Sequence, residues 1–388
     1  MTPAPLPTPT PAPMAKRIFV AATRQHVGKT TTSLGILKGL FERTSNVGFI
    51  KPVGQQHLLV DGVRVDKDVA LMKRFFNLKH ELADMSPVLI PQGYTRKYID
   101  GEITGDTQLA AIHRSMERVG SNSDVVLLEG TGHTGVGSVV DLNNAQVAAQ
   151  LDASMVLVAN GGLGSAYDDL ELNRIMCKEY GVRINGVVLN KVLPSKMEMV
   201  QDYFTKLMRR WDVPLLGVVP DKPFLGKTLL YDIERLLDTK LIAGERFRMR
   251  HYNPSETVMI PTNLRRFLQK VEEADAMQWT RPLFVTHVSR SDIILGYISH
   301  FQKLKLEKVE HGGVLVLTGP REKHRMLPYI EDMIKTYDVP VMHASMATYS
   351  VMQKMETFTP KLTEHDFPRV QAAAEHYSEY LDFNKMLR

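Results

Sequence analysis

The chain has 388 residues, 44% hydrophobic and 23% charged, which suits two globular domains with buried cores. Its net charge of +5 comes from acids and bases interleaved along the chain, so composition gives no nucleic-acid footprint. No run approaches the roughly 18 apolar residues of a membrane span, no secretory segment opens the chain, and the one cysteine, Cys177, rules out an internal disulfide; a cytoplasmic protein with no nucleic-acid or membrane partner is expected.

The first stretch alternates Pro3, Pro5, Pro7, Pro9, Pro11 and Pro13 with Thr, Ala or Leu. Proline lacks the amide hydrogen, so residues 1–15 are expected to form an extended, unpacked tail. Residues 17–21 then read as a buried strand, followed by a polar loop and a helix over 29–43. Further short apolar strands are expected at 47–50, 124–128, 155–159, 184–189 and 215–219, with helices such as 143–151 and 166–180 between them. Continuous apolar strands alternating with helices mean a sheet covered on both faces. Residues 16–225 are therefore expected to form an α/β domain with a doubly wound, mostly parallel sheet.

Proline, glycine and charge at 220–227 break the pattern. A second, smaller α/β domain is expected over 226–355, with strands at 257–260, 282–286 and 314–317 and helices at 263–274, 291–304 and 328–337. Residues 356–388 are charged and partly helical, and read as a C-terminal tail.

The segment Ala22-Thr23-Arg24-Gln25-His26-Val27-Gly28-Lys29-Thr30-Thr31 lies between the first strand and the first helix. That is the context a P-loop requires: Gly28 lets backbone approach phosphate, successive amides and the helix N-terminus supply donors, and Lys29 supplies a charge to the terminal phosphates. Thr30 offers a hydroxyl to Mg²⁺, so ATP with Mg²⁺ is the expected ligand. Thr23 stands where the motif has its first glycine. Mg²⁺ calls for one or two carboxylates as well; Glu129, at the end of the 124–128 strand, is the first candidate, and Asp66 and Asp68 follow on a polar loop. Lys51, at the end of the second strand, is placed to face a transferring phosphoryl group. The glycine-rich run 131–138 either moves over a substrate or is a flexible turn; His133 within it is a conceivable acid–base group, as is His26 in the P-loop. Asn190 ends the 184–189 strand with an amide suited to a purine edge.

These blocks, together with Lys51-Pro52-Val53, Met85-Ser86-Pro87, Gly93-Tyr94-Thr95-Arg96, Glu129-Gly130-Thr131-Gly132-His133 and Leu189-Asn190-Lys191, resemble the dethiobiotin synthetase-like ATPases. The likeness is to the branch that forms the N-terminal part of long phosphate acetyltransferases, and residues 284–292 and 314–319 resemble the DRTGG domain that follows it there. The resemblance implies Lys29 as the phosphate lysine, Thr30, Asp68 and Glu129 as Mg²⁺ ligands, Lys51 at the reacting groups and Asn190 at adenine. It also implies that Arg24 stands near a position where dimeric relatives place a cation reaching into the partner's site, so a homo-oligomer is expected. True dethiobiotin synthetases carry Glu-Gly-Ala-Gly-Gly where this chain has Glu129-Gly130-Thr131-Gly132-His133, at the diamino acid site. The chain is too short to include an acetyltransferase catalytic domain as well, so acetyl transfer by this polypeptide alone is not expected. Three functions follow as expectations: a slow, regulatory ATPase; an ATP-dependent carboligase acting on a small carboxylate or carbamate; or a non-enzymatic scaffold that keeps the fold.

Overall fold

A computed structural model describes residues 14–276, 281–310, 312–323 and 325–388. The prolines of the expected N-terminal tail, Pro3 to Pro13, lie outside the described residues. The chain divides into two compact units: residues 1–222 joined by 362–388, and residues 223–361.

The first unit is built on a six-stranded sheet. In spatial order its strands are Leu215–Pro220, Ile184–Val192, Ser154–Asn160, Lys16–Ala22, Val125–Glu129 and Val47–Ile50, and every neighbouring pair runs parallel. The first strand shows why the apolar run is continuous. Phe19 and Ala21 join Leu128, Leu157 and Leu189 in the core on one face. Ile18 and Val20, on the other face by the two-residue period, are equally buried. The helices expected at 29–43, 143–151 and 166–180 are present as Lys29–Phe41, Asn144–Gln150 and Gly164–Glu179. Helices Lys67–Phe76, Gly105–Gly120 and Met197–Arg209 complete the layers.

The connection from the first strand runs to Val47–Ile50 on one side, beyond Val125–Glu129, whereas Ser154–Asn160 and the later strands are added on its other side, so the strand order reverses there. The carboxyl end of such a strand opens on a crevice, which is where open α/β sheets bind ligands. Opposite Val20 in register stands Glu129, and opposite Leu128 stands Ile50, so Glu129 and Lys51 are delivered to the same edge as the loop after Ala22.

A small hairpin, His57–Val60 with Val63–Asp66, rises after the second strand. Its turn is Asp61-Gly62, both with positive φ, the conformation that Asp-Gly favours in tight hairpins. The hairpin ends at Asp66, whose side chain accepts from the Asp68 amide and so caps the helix Lys67–Phe76.

The segment expected as a C-terminal tail is not one. Helix Phe367–Glu379 packs along the helix Lys29–Phe41, and a last turn, Phe383–Met386, follows it. Gly35 and Gly39 permit this close approach. A Cβ at Gly35 would fall 2.2 Å from Tyr377 Cβ, and one at Gly39 would fall 1.9 Å from the Phe383 ring. The amide of Asp382 donates to Leu216 O at 2.7 Å, and Asn185 Nδ2 donates to Met386 O at 2.8 Å. Charge at the surface and short helices made this segment look unanchored; its anchoring partners lie far away in sequence.

The second unit has a five-stranded sheet in the order Leu241–Ala243, Val341–Ala344, Val314–Thr318, Leu283–His287, Thr257–Met259. All pairs are parallel except the edge strand Leu241–Ala243. Helices Leu264–Ala276, Ser291–Leu306, Pro328–Tyr337 and Thr348–Thr357 accompany it, and Phe284, Tyr297, Leu315 and Ile334 are among its core residues.

Candidate functional site

The loop after Ala22 is held from below rather than capped from within. Gly28 is the N-cap of the helix Lys29–Phe41, with φ of 100°, and provides no side-chain cap for the first-turn amides. Those amides and the helix dipole therefore face outward as anion donors. A side chain at Gly28 would collide with Asn190 Nδ2, 2.2 Å from an added Cβ, so glycine is required on steric as well as conformational grounds. Thr31 and Thr32 donate back to Gly28 O at 2.6 and 3.0 Å, which closes the turn. His26 adopts φ of 62°, an unusual backbone conformation for a non-glycine residue.

Beside this loop lies a nest of buried charge. Lys51 Nζ pairs with Asp68 Oδ2, stands 3.2 Å from Asp66 Oδ1 and 3.6 Å from Glu129 Oε1, and all four side chains are almost fully buried. Thr30 Oγ1 donates to Glu129 Oε1 at 3.1 Å. Burial by itself would lower the Lys51 pKa, but Asp68, Glu129 and Asp66 outweigh it and hold the ammonium above the ordinary lysine range. Burial would raise Asp68, and the Lys51 cation overrides it and draws Asp68 down to about 2. Burial does raise Glu129, with Lys51 opposing and Asp68 adding to the rise. Lys29 has no such close partner; burial pulls it down to about 8, against the pull of Glu129. Two lysines and three carboxylates thus lie close enough to feel one another's charge, and an incoming polyanion with its counter-cation would meet groups of both signs.

The sequence-predicted residues sort into two sets. Lys29, Thr30, Lys51, Asp68 and Glu129 come together at the sheet's carboxyl edge, with Asp66 joining them as cap and ion-pair partner. Thr23, Gln25, Val27 and Thr31 lie on the loop, where Thr23 and Val27 are buried and Gln25 is exposed. Thr23 Oγ1 is buried without a hydrogen-bond partner. Arg24 grips Asp169 with both arms of its guanidinium, at 2.5 and 2.6 Å, so its charge is answered within the same chain.

Asn190, expected at adenine, has its side chain engaged with the protein around the loop. It is fully buried; its Nδ2 donates to Val27 O at 2.6 Å, and its Oδ1 accepts from the Lys191 amide at 2.8 Å and the Tyr377 hydroxyl at 2.7 Å. The amide braces the P-loop, because a strand-end side chain here points under the loop rather than out of it. Lys191 adds a second brace, from Nζ to His26 O at 2.9 Å.

The glycine-rich run 131–138 is pinned. Asn144 accepts from the Thr131 amide and donates to the carbonyls of Thr131 and His133, while Asn173 Oδ1 accepts from both the amide and hydroxyl of Thr134. Asn173 Nδ2 also lies 3.4 Å from Thr23 O. His133 is exposed and accepts from the Gly135 amide. Sequence reasoning missed Tyr377, Asn144 and Asn173, and it named Lys191 with Asn190 without foreseeing that it braces the loop. Lys191 follows Asn190 directly, so a strand-end pair below the loop was a readable signal; the others are polar residues in helices, with nothing local to mark them.

The donor set fits a hard divalent cation: the Thr30 hydroxyl, the Glu129 carboxylate and Asp68 all offer oxygen atoms at one edge. Glu129 Oε2 is buried, beside Ser33, with no hydrogen bond of ordinary geometry, and so retains an uncommitted lone-pair face. Among the described residues, no group of three or more His, Cys, Asp or Glu side chains converges closely enough to hold a metal alone. That is the expected pattern where phosphate oxygens and water complete the shell.

Comparison with known proteins agrees with this geometry. The family model AAA_26, described as an AAA domain, matches residues 16–228. A phosphate acetyltransferase of Pseudomonas putida is 24% identical over 375 residues, covering 94% of this chain and 50% of that protein. One from Synechocystis is 22% identical over 383 residues, covering 96% and 52%. An ATP-dependent dethiobiotin synthetase of Methanococcus vannielii is 23% identical over 220 residues, covering 56% of this chain and 98% of that one. The chain thus spans about half the length of the acetyltransferases it matches, and a part of it aligns with nearly the full length of the synthetase. Among the described residues, no helix is long and apolar enough to cross a membrane. The first unit is a P-loop ATPase-like domain related to both groups of relatives, and the chain belongs to the AAA domain family over residues 16–228.

Proposed function

We propose that this protein binds ATP with Mg²⁺ on the loop 22–31 and hydrolyses it slowly, as a regulatory or interaction module akin to the N-terminal half of a phosphate acetyltransferase. The observation that carries this reading is the convergence of Lys29, Thr30, Lys51, Asp68 and Glu129 at the end of the first strand. Lys29 and the outward amides of the first helical turn receive the terminal phosphates. Thr30, Glu129 and Asp68 are the side chains that would hold Mg²⁺, which when bound neutralises phosphate charge. Lys51 is kept fully protonated by its carboxylates, so it is a fixed cation for a phosphoryl group and cannot serve as a base at neutral pH. Of the two loop histidines, His26 offers its backbone carbonyl to Lys191, and the His133 ring accepts from the Gly135 amide of its own loop.

A second reading, ATP-dependent ligation of a small carboxylate or carbamate, is favoured by Lys51 alone. A buried cation beside the phosphate loop is suited to hold a carboxylate in line with a phosphoryl group. The pinned 131–138 run, with His133 in place of the glycine of dethiobiotin synthetases, argues for a different co-substrate from theirs.

Calorimetric titration with ATP and Mg²⁺ tests the first reading, with Lys29→Ala as the comparison. Binding by the parent protein and its loss by at least tenfold in Lys29→Ala is expected; no binding by the parent protein rejects it and leaves the scaffold. Phosphate release that rises several-fold on adding a carboxylate or carbamate and amine pair would move the assignment to the ligase.

A further inference from the structure

We propose that Tyr377 is a positioning residue for the phosphate-binding loop, acting through Asn190, so that the returning C-terminal helix is a working part of the nucleotide site. The proposal rests on the nucleotide reading above for its consequence, and on the ligand-free geometry for its premise.

The chain of contacts is continuous. The Tyr377 hydroxyl donates to Asn190 Oδ1 at 2.7 Å and also meets the Thr31 side chain of the loop, and Asn190 Nδ2 donates to Val27 O at 2.6 Å. An amide side chain can present its oxygen or its nitrogen in either direction, and here the donors around it decide. With Tyr377 and the Lys191 amide both donating to Oδ1, the nitrogen must face Val27 O. Turned over, the amide would oppose oxygen to the Val27 carbonyl and lose its hold on the loop. The contact is fully buried, where an unmade hydrogen bond costs most.

Tyr377 is itself fixed in place. Its Cβ rests against Gly35 of the helix that opens with Lys29, in a space no larger residue at 35 would leave. One turn on, the backbone at Leu381 bridges Gly217, and His376 Nε2 lies 2.8 Å from Pro220 O. The helix therefore spans from the edge strand Leu215–Pro220 to the underside of the loop. Coupling between two such groups is reciprocal: whatever orders Val27 and Gly28 also tightens the seating of 367–379.

Hydrogen exchange read by mass spectrometry on the full chain, without ligand, tests the premise in Tyr377→Phe and, as a control, Tyr380→Phe. Exchange in 24–31 is expected to rise by about three- to tenfold in Tyr377→Phe, the size of one net hydrogen bond, with none in the control. Unchanged loop exchange overturns the proposal, and so does an equal rise across the strands Lys16–Ala22 and Ser154–Asn160, which would mark general loosening. Calorimetry with Mg-ATP is expected to show affinity weakened by about three- to tenfold in Tyr377→Phe; equal affinity overturns the positioning role. Exchange that rises as expected in Tyr377→Phe, with a parent protein that binds no Mg-ATP, supports the brace and rejects the nucleotide reading instead.

Discussion

Thr30 Oγ1 donates to Glu129 Oε1 across 3.1 Å, tying the first turn of the P-loop helix to the end of the adjacent strand. The two oxygens that would share a cation are held together before it arrives, and the buried Glu129 Oε2, beside Ser33, makes no hydrogen bond of ordinary geometry. Glu129→Gln keeps an acceptor for Thr30 while removing the charge. It is expected to preserve the fold and to weaken the Mg²⁺-dependent part of ATP affinity by about tenfold, the value of one charge-assisted contact. A magnesium titration at fixed ATP reads this directly, and an unchanged magnesium requirement would remove Glu129 from the ligand set.

Lys51 answers three buried carboxylates, so removing it differs from removing a surface lysine. Lys51→Met leaves Asp66, Asp68 and Glu129 buried without their common cation, and a broken buried pair costs about 3–5 kcal/mol. Urea denaturation of the first unit should show that loss at neutral pH. A loss below about 1 kcal/mol would mean that water reaches the nest.

Gly35 offers a test in which helix propensity and packing have opposite signs. By propensity, Gly35→Ala in mid-helix gains up to about 1 kcal/mol. By packing, the new methyl falls 2.2 Å from Tyr377 Cβ, and overpacking costs about 1–3 kcal/mol. Net destabilisation is expected in thermal unfolding, with faster exchange in 367–386. Stabilisation would show that the C-terminal helix is free to move away.

Cys177 is fully buried in the first unit's core, and burial pushes its thiol up to about 12. A disulfide reagent at pH 8 meets neither access nor thiolate. The folded protein is expected to react at the rate of unfolding, and denaturant should release one equivalent at once. Rapid labelling of the native protein would contradict the placement of this helix face.

His343, at the end of a central strand of the second unit, is held below the usual histidine value by burial, with Arg321 adding and the Gly319 carbonyl opposing. A histidine whose folded pKa is lowered contributes nothing at high pH. As pH falls below the unfolded value of about 6.5, the unfolded chain takes up the proton first and stability drops. Unfolding of the second unit should therefore ease as pH moves from 7 toward 5, and His343→Asn should flatten that part of the profile. An unaltered profile would assign the effect to other groups.

Much of this protein was legible residue by residue. The strands were readable because a parallel sheet covered on both faces demands unbroken apolar runs, as in 17–21 and 155–159. The P-loop was readable because Gly28, Lys29 and Thr30 must be contiguous to meet phosphate at a helix start. Glu129 and Lys51 were readable because strand ends in such sheets share one edge. The Asp61-Gly62 turn was a readable signal as well, and its hairpin was missed for want of strong alternation in the flanking strands.

Local sequence therefore determined the sheet, the loop and the residue types at its rim, since each follows from a short-range period or a contiguous motif. Tertiary structure alone decided what those residues do to one another. It placed Asn190 beneath the loop, closed Arg24 on Asp169, locked the 131–138 run with Asn144 and Asn173, and returned the last helix to the first. Those outcomes depend on which distant groups fill a buried space and satisfy its hydrogen bonds, and no window of neighbouring residues contains that information.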